Sequence, residues 1–158
     1  MKKLQTNQSG FTIIEVLIVL AIAGLIMLIV FLAVPALQRN SRNTQRKNDA
    51  QKLLAATNEW ATANNWAISP DYGITSFNQI IANAGGMSQY KSGLNGLGQG
   101  DIAAAVGATT ANSNTDLITL VLNGKCASSS STAAQARSAA VMFYIEAGSN
   151  LVPQCLGA

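Results

Sequence analysis

The sequence predicts an α+β chain: one long amino-terminal helix, membrane-spanning in its first half, packed on a small antiparallel sheet of about three strands. Three observations predict this. From Phe11 to Leu37 the only ionisable residue is Glu15. From Gln38 to Asn64 there is neither proline nor glycine, and Leu53, Leu54, Ala56, Trp60, Ala61 and Ala63 recur at three- and four-residue steps, the spacing of one buried helix face. Beyond residue 115, three runs rich in β-formers are separated by turn residues. The expected segments are a short polar head (1–10), an apolar helix (11–37), its amphipathic continuation (38–64), a variable connection (65–114) and the sheet (115–158).

The apolar run comes first. As a helix, Phe11–Leu37 would be about 40 Å long, enough to cross a hydrocarbon core of about 30 Å. It is too long for the apolar region of a secretory signal peptide, and Val34-Pro35-Ala36 is at best a weak cleavage site. A carboxylate within a span costs roughly 2.5–3.5 kcal/mol on insertion scales. Glu15 therefore calls for a positive partner.

The residues before it suggest that partner. A short head carrying Lys2 and Lys3 ends in Gly10, followed by Phe11, Thr12 and then Glu15 at the start of the apolar helix. This arrangement resembles the leader and amino-terminal segment of type IV pilins and their relatives, over residues 1 to about 64. The resemblance implies the type IV pilin fold, a leader peptide at 1–10, cleavage between Gly10 and Phe11 by a membrane-embedded prepilin peptidase, and methylation of the Phe11 amine. It implies assembly roles for Glu15 and Thr12, with Glu15 of an incoming subunit pairing with a neighbour's Phe11 amine. Gly24 and Pro35 are expected points of helix flexibility, since proline removes a backbone bond and crowds the preceding turn. Many relatives place that proline three positions earlier, at what is Leu32 here. Arg39, Arg42, Arg46 and Lys47 follow the span, and a count of positive charges alone would leave the carboxyl-terminal part in the cytoplasm. The resemblance implies the opposite topology.

In the connection, Asn64-Asn65, Ser69-Pro70-Asp71 and Tyr72-Gly73 are turn signals. A short helix is expected over Ser76–Ala84, capped by Ser76, with Phe77, Ile80 and Ile81 inward. A glycine-rich loop follows, with another short helix at Asp101–Val106. Strands are expected at Asp116–Leu122, bounded by an Asn123-Gly124 turn, at Ser138–Glu146, and at Leu151–Leu156, where Pro153 suggests an edge position. Leu53, Trp60, Val121 and Phe143 are the expected shared core.

Cys126 and Cys155 are the only cysteines. Their separation resembles the carboxyl-terminal disulfide loop of many type IV pilins, the alternative being two free thiols. An enzyme is not expected. The chain has no histidine, which removes Ser-His-Asp and Cys-His arrangements and the commonest metal ligand. Gly96-Leu97-Gly98-Gln99-Gly100 lacks the GK[ST] ending of a phosphate loop, and Asp101 alone makes a poor calcium site. No cofactor or metal is expected. With ten basic and seven acidic residues, bulk charge does not mark a nucleic-acid binder.

The basic group Arg39, Arg42, Arg46, Lys47 and Lys52 admits three readings: anchoring at lipid headgroups with pairing to neighbouring subunits, contact with DNA during uptake, or a structural role inside the subunit. The Ser128–Thr132 tract is expected to be a solvated loop, with hydroxyl glycosylation as a second reading. Taken together, the resemblance implies a prepilin, held in the cytoplasmic membrane with its carboxyl-terminal domain outside and then built into an extracellular pilus for attachment, twitching motility or DNA uptake. Its implied partners are related pilin subunits, the peptidase, an inner-membrane assembly platform with its ATPase, and membrane lipid. DNA has no support in the residues. The alternatives are a pseudopilin of a type II secretion system and a membrane-tethered adhesion module.

Overall fold

The computed structural model describes residues 10–68, 74–95, 101–111 and 117–157. The expected leader before Gly10, the turn signals at 69–73, the glycine run at 96–100 and the first residue of the predicted Asp116 strand lie outside the described residues. The chain forms two compact units, Met1–Gln38 and Arg39–Ala158. Helix α1, Ile13–Asn64, contributes to both.

In the first unit α1 includes Gly24 and Pro35 without a break. This helix is long and apolar enough to cross a membrane, and its most apolar window is wholly unburied.

In the second unit the remaining part of α1 packs on a sheet, an α+β arrangement as expected for a type IV pilin fold. Ala50, Leu53, Ala56, Thr57, Trp60 and Ala61 are buried, at the three- and four-residue steps that put them on one face. The apolar ones meet Ile118, Leu120, Leu122, Val141 and Phe143 of the sheet. Helix α2, Ile74–Ala84, adds Phe77, Ile80 and Ile81 to the same core, and the Trp60 indole donates to Gln79 Oε1 at 2.9 Å. Ser76 is buried within α2 rather than capping it, because the helix starts earlier, at Ile74. Gly85 ends α2 with φ +70°, a backbone that costs glycine nothing.

The sheet has four strands in the order β1-β2-β3-β4, one more than expected. They are β1 Ile102–Val106, β2 Ile118–Ser128, β3 Ser131–Ala147 and β4 Asn150–Gly157. The extra strand falls where a short helix was expected. Ile-Ala-Ala-Ala-Val has good helix propensity, but it pairs parallel to β2 from Ile102↔Ile118 to Val106↔Leu122, and this tertiary pairing overrides the local preference. The other pairs are antiparallel, so the sheet is mixed.

Asn123-Gly124 is not the hairpin turn. The ladder continues past it with a shift between Leu122 and Gly124, and the chain reverses at Ser129 and Ser130. Of the predicted solvated loop, Ser128 and Ser131 therefore end strands, and Thr132 is buried. Opposite Asn123, β3 bulges at Gln135–Ser138. Asn123 and Arg137 both have positive φ, and the Arg137 N–H donates to Asn123 Oδ1 at 3.1 Å. Gly124 is required here, since a Cβ would lie 2.7 Å from Gly107 O and from Val121 Cγ1.

Val121 is buried, but on the other side of the sheet from α1, with Ala140, Met142, Cys126 and Cys155. Alternation along β2 dictates this, because Leu120 and Leu122 already face the helix. The hairpin beyond the bulge folds back over that second face. Cys126 stands opposite Thr132, and Cys155 opposite Met142. A straight β3 would separate Thr132 from Met142 by about 33 Å, yet the two cysteine Cα atoms are 5.9 Å apart. Thr132 fixes the fold-back by donating from Oγ1 to Gly107 O at 3.0 Å and accepting from Thr109 N at 3.0 Å.

Candidate assembly site

At its start, α1 places Thr12 just before the first helical residue, Ile13, and Glu15 three residues after Thr12. The first turn of a helix has amide groups without intrahelical partners. Thr12 and Glu15 satisfy two of them reciprocally. The Thr12 N–H donates to Glu15 Oε2 at 2.9 Å, and the Glu15 N–H donates to Thr12 Oγ1 at 3.4 Å. The Thr12 hydroxyl also donates to Oε2 at 2.8 Å. This is a capping box, with the carboxylate at the positive end of the helix dipole. The Thr-x-x-Glu spacing carries this signal in plain sequence, beside the assembly role that the resemblance implies for Thr12.

Phe11, Glu15, Val16, Val19 and Leu20 line one shallow groove along this helix, and Gly10 and Phe11 join Thr12 and Glu15 in another. Every large apolar side chain from Phe11 to Leu37 is open to the surroundings, from 39% exposed at Val34 to 90% at Phe11. A continuous apolar surface of this size marks a lipid or protein contact. Gly24 has open space around the position a Cβ would take. Pro35 sits inside the helix.

The basic residues divide by partner. Arg42 donates from Nε and Nη2 to the two oxygens of Glu146 at 3.3 and 2.7 Å, and Arg46 donates from Nη1 at 2.9 Å. The hydrogen bonds from Arg42, with those from Arg46 behind them, hold the Glu146 carboxyl down at about 2 against the opposing push of partial burial. Arg39 donates to Gly148 O at 3.1 Å, and Lys52 to Gly86 O at 3.3 Å. Lys47 is exposed. Arg42 and Arg46 thus bond to β3 and Arg39 to the turn after it, contacts that fit the structural reading of this group.

Two anchoring residues were not legible in the sequence. Asn43 clasps the backbone of Glu146, donating from Nδ2 to O at 2.8 Å and accepting at Oδ1 from N at 2.9 Å. Asp49 is fully buried and accepts the N–H groups of Ser88 and Gln89 at 2.7–2.9 Å. Their partners lie dozens of residues away, which no local pattern reports.

Cys126 and Cys155 are disulfide-bonded, joining β2 to β4 across the outer face of β3. Asp101 accepts the Lys91 N–H at 2.8 Å. Among the described residues, no group of three or more acidic, cysteine or histidine side chains could hold a metal ion.

Comparison with known proteins places one match on this site. Residues 5–31 match the family model of the prokaryotic N-terminal methylation motif, the class III signal peptide of type IV pilins. It is a structural motif rather than an enzyme family. No curated protein and no solved structure matches the chain.

Proposed function

We propose that this chain is the precursor of a structural subunit of a type IV pilus or closely related filament, cut after Gly10 and polymerised through the helix that follows. The observation that carries this reading is the methylation motif at residues 5–31, set at the head of an apolar stretch, Phe11 to Leu37, whose large side chains all stand open. Before assembly the helix resides in the cytoplasmic membrane with the sheet domain outside. A prepilin peptidase cuts and methylates, and an inner-membrane platform driven by its ATPase extracts the subunit into the pilus.

Cleavage leaves an α-amine on Phe11 with a reference pKa near 7.7, largely protonated at neutral pH. In lipid the ammonium and the Glu15 carboxylate are each costly when alone and attract strongly when together. The Thr12 bonds give Glu15 an interim partner. Both bonds from Thr12 fall on Oε2, and we assign Oε1 to the neighbour's amine. Assembly then removes a penalty that each group carries separately, while lateral packing covers the apolar surface. Gly24 and Pro35 are the positions at which the helix would loosen in the fibre.

The test replaces Glu15 with Gln, which keeps the length of the side chain and an oxygen for Thr12 but removes the charge. The variant is expected to insert in the membrane as wild type does and to give no filaments. Normal filaments from Glu15→Gln would refute the charge pairing.

A further inference from the structure

We propose that Pro153 keeps the open edge of the sheet from pairing with a second copy of this chain, so that copies associate through α1 and not by strand addition. The phase of the ladder carries the argument. In an antiparallel pair, opposed residues alternate between exchanging both backbone bonds and exchanging neither. Glu146 spends both its N–H and its C=O on Asn43, on the side away from β4. Its pair with Leu151 is therefore one without mutual bonds, and so is the pair two residues on, Tyr144↔Pro153. The backbone polar groups of Leu151, Pro153 and Cys155 consequently point out of the sheet, beyond the last strand in its order.

That edge has few other safeguards. Strand β4 runs for eight residues without a charged side chain. Leu151 and Val152 are 44% and 36% exposed. An edge this long and apolar is a template for another strand unless charge, a bulge or proline blunts it. Proline supplies no N–H. At 153 the missing donor is the middle one of the outward row, while the bonds to β3 lose nothing. The only strand chemistry that would satisfy the row in full is blocked at its centre.

The test uses the full-length precursor in detergent micelles, with Pro153→Val and Pro153→Ala, and the double variant Pro153→Val/Leu151→Lys. Closure of the Cys126–Cys155 disulfide reports that β4 is in register. In wild type the Leu151 and Cys155 amides are expected to exchange rapidly with solvent. In both single variants those amides become protected, and light scattering shows a concentration-dependent doubling of the protein mass. The added lysine reverses both changes. If Pro153→Val does not close its disulfide, the smaller Pro153→Ala change decides. Wild-type size and exchange in a disulfide-closed variant would overturn the proposal, as would protected Leu151 and Cys155 amides in wild type.

Discussion

The side-chain amide of Asn43 on α1 occupies the place of a neighbouring strand along the end of β3, through two bonds of 2.8 and 2.9 Å to the backbone of Glu146. Among the described residues, β2 pairing reaches only Met142, short of Glu146. Without Asn43 this end of β3 would leave a backbone donor and acceptor unpaired, a costly arrangement in a partly buried place. The Glu146 carboxylate gathers Arg42 and Arg46, so this one position on β3 ties sheet to helix through both backbone and side chain.

Glu146→Gln tests this tie. Arg46 is buried with 6% of its side chain exposed, whereas Arg42 is 40% exposed. The loss therefore falls mainly on Arg46, and about 1–2 kcal/mol is expected after allowing for solvent screening at Arg42. The pH dependence has a definite sign. The folded carboxyl lies at about 2, below its unfolded value of about 4.3, so its contribution is full above about pH 4.3 and fades as pH falls toward 2. Urea midpoints measured from pH 6 to pH 2 should show this fading in wild type and lose that component in Glu146→Gln.

Asp49→Ala removes the acceptor for two backbone N–H groups next to α2. Because the site is fully buried, water cannot readily replace the carboxylate. A loss of about 2–4 kcal/mol is expected, on the scale of charge-assisted bonds and unsatisfied donors. Asp49→Asn, which keeps one acceptor oxygen, should lose less. Denaturant midpoints of the two variants check the order, and equal midpoints for wild type and Asp49→Ala would contradict it.

The Cys126–Cys155 bond closes a loop with a sequence separation of 29. Replacing both residues with serine should cost about 3–4 kcal/mol in the chain-entropy model. The hairpin beyond Asn123 should be the first part to loosen, because it is held over the outer face by this bond and by Thr132. Amide exchange at Thr109 and Thr132 would report that loosening, and two retained thiols in non-reducing mass spectrometry of the wild type would contradict the pairing.

Much of this was legible in the sequence, for identifiable reasons. The buried face of α1, apart from the exposed Ala63, and the Phe77, Ile80 and Ile81 face of α2 follow from helical spacing, which is local. Pro153 at an edge follows from the donor it lacks. Strand β1 was missed because alanines favour helix and only distant pairing with β2 makes them a strand. Asn123-Gly124 carries a strong turn signal, yet the chain uses it for a bulge and turns at Ser129-Ser130. Val121 faces away from the helix, against expectation, because period-two alternation excludes it once Leu120 and Leu122 face α1. At the candidate site, Glu15 is legible as the only charge in its run, and its bond to Thr12 is legible in the Thr-x-x-Glu spacing. The ties from Arg42, Asn43 and Arg46 to Glu146 cross about a hundred residues and leave no local trace.

We propose Gly10–Phe11 as a processing junction and the helix after it as the part built into a filament. Mass spectrometry of the amino-terminal peptide, taken from protein sheared from the surface of the producing cells, tests it most directly. The expected chain starts at Phe11 with a methylated amine. A chain that still begins at Met1, or that has been cut after Ala36, would contradict it.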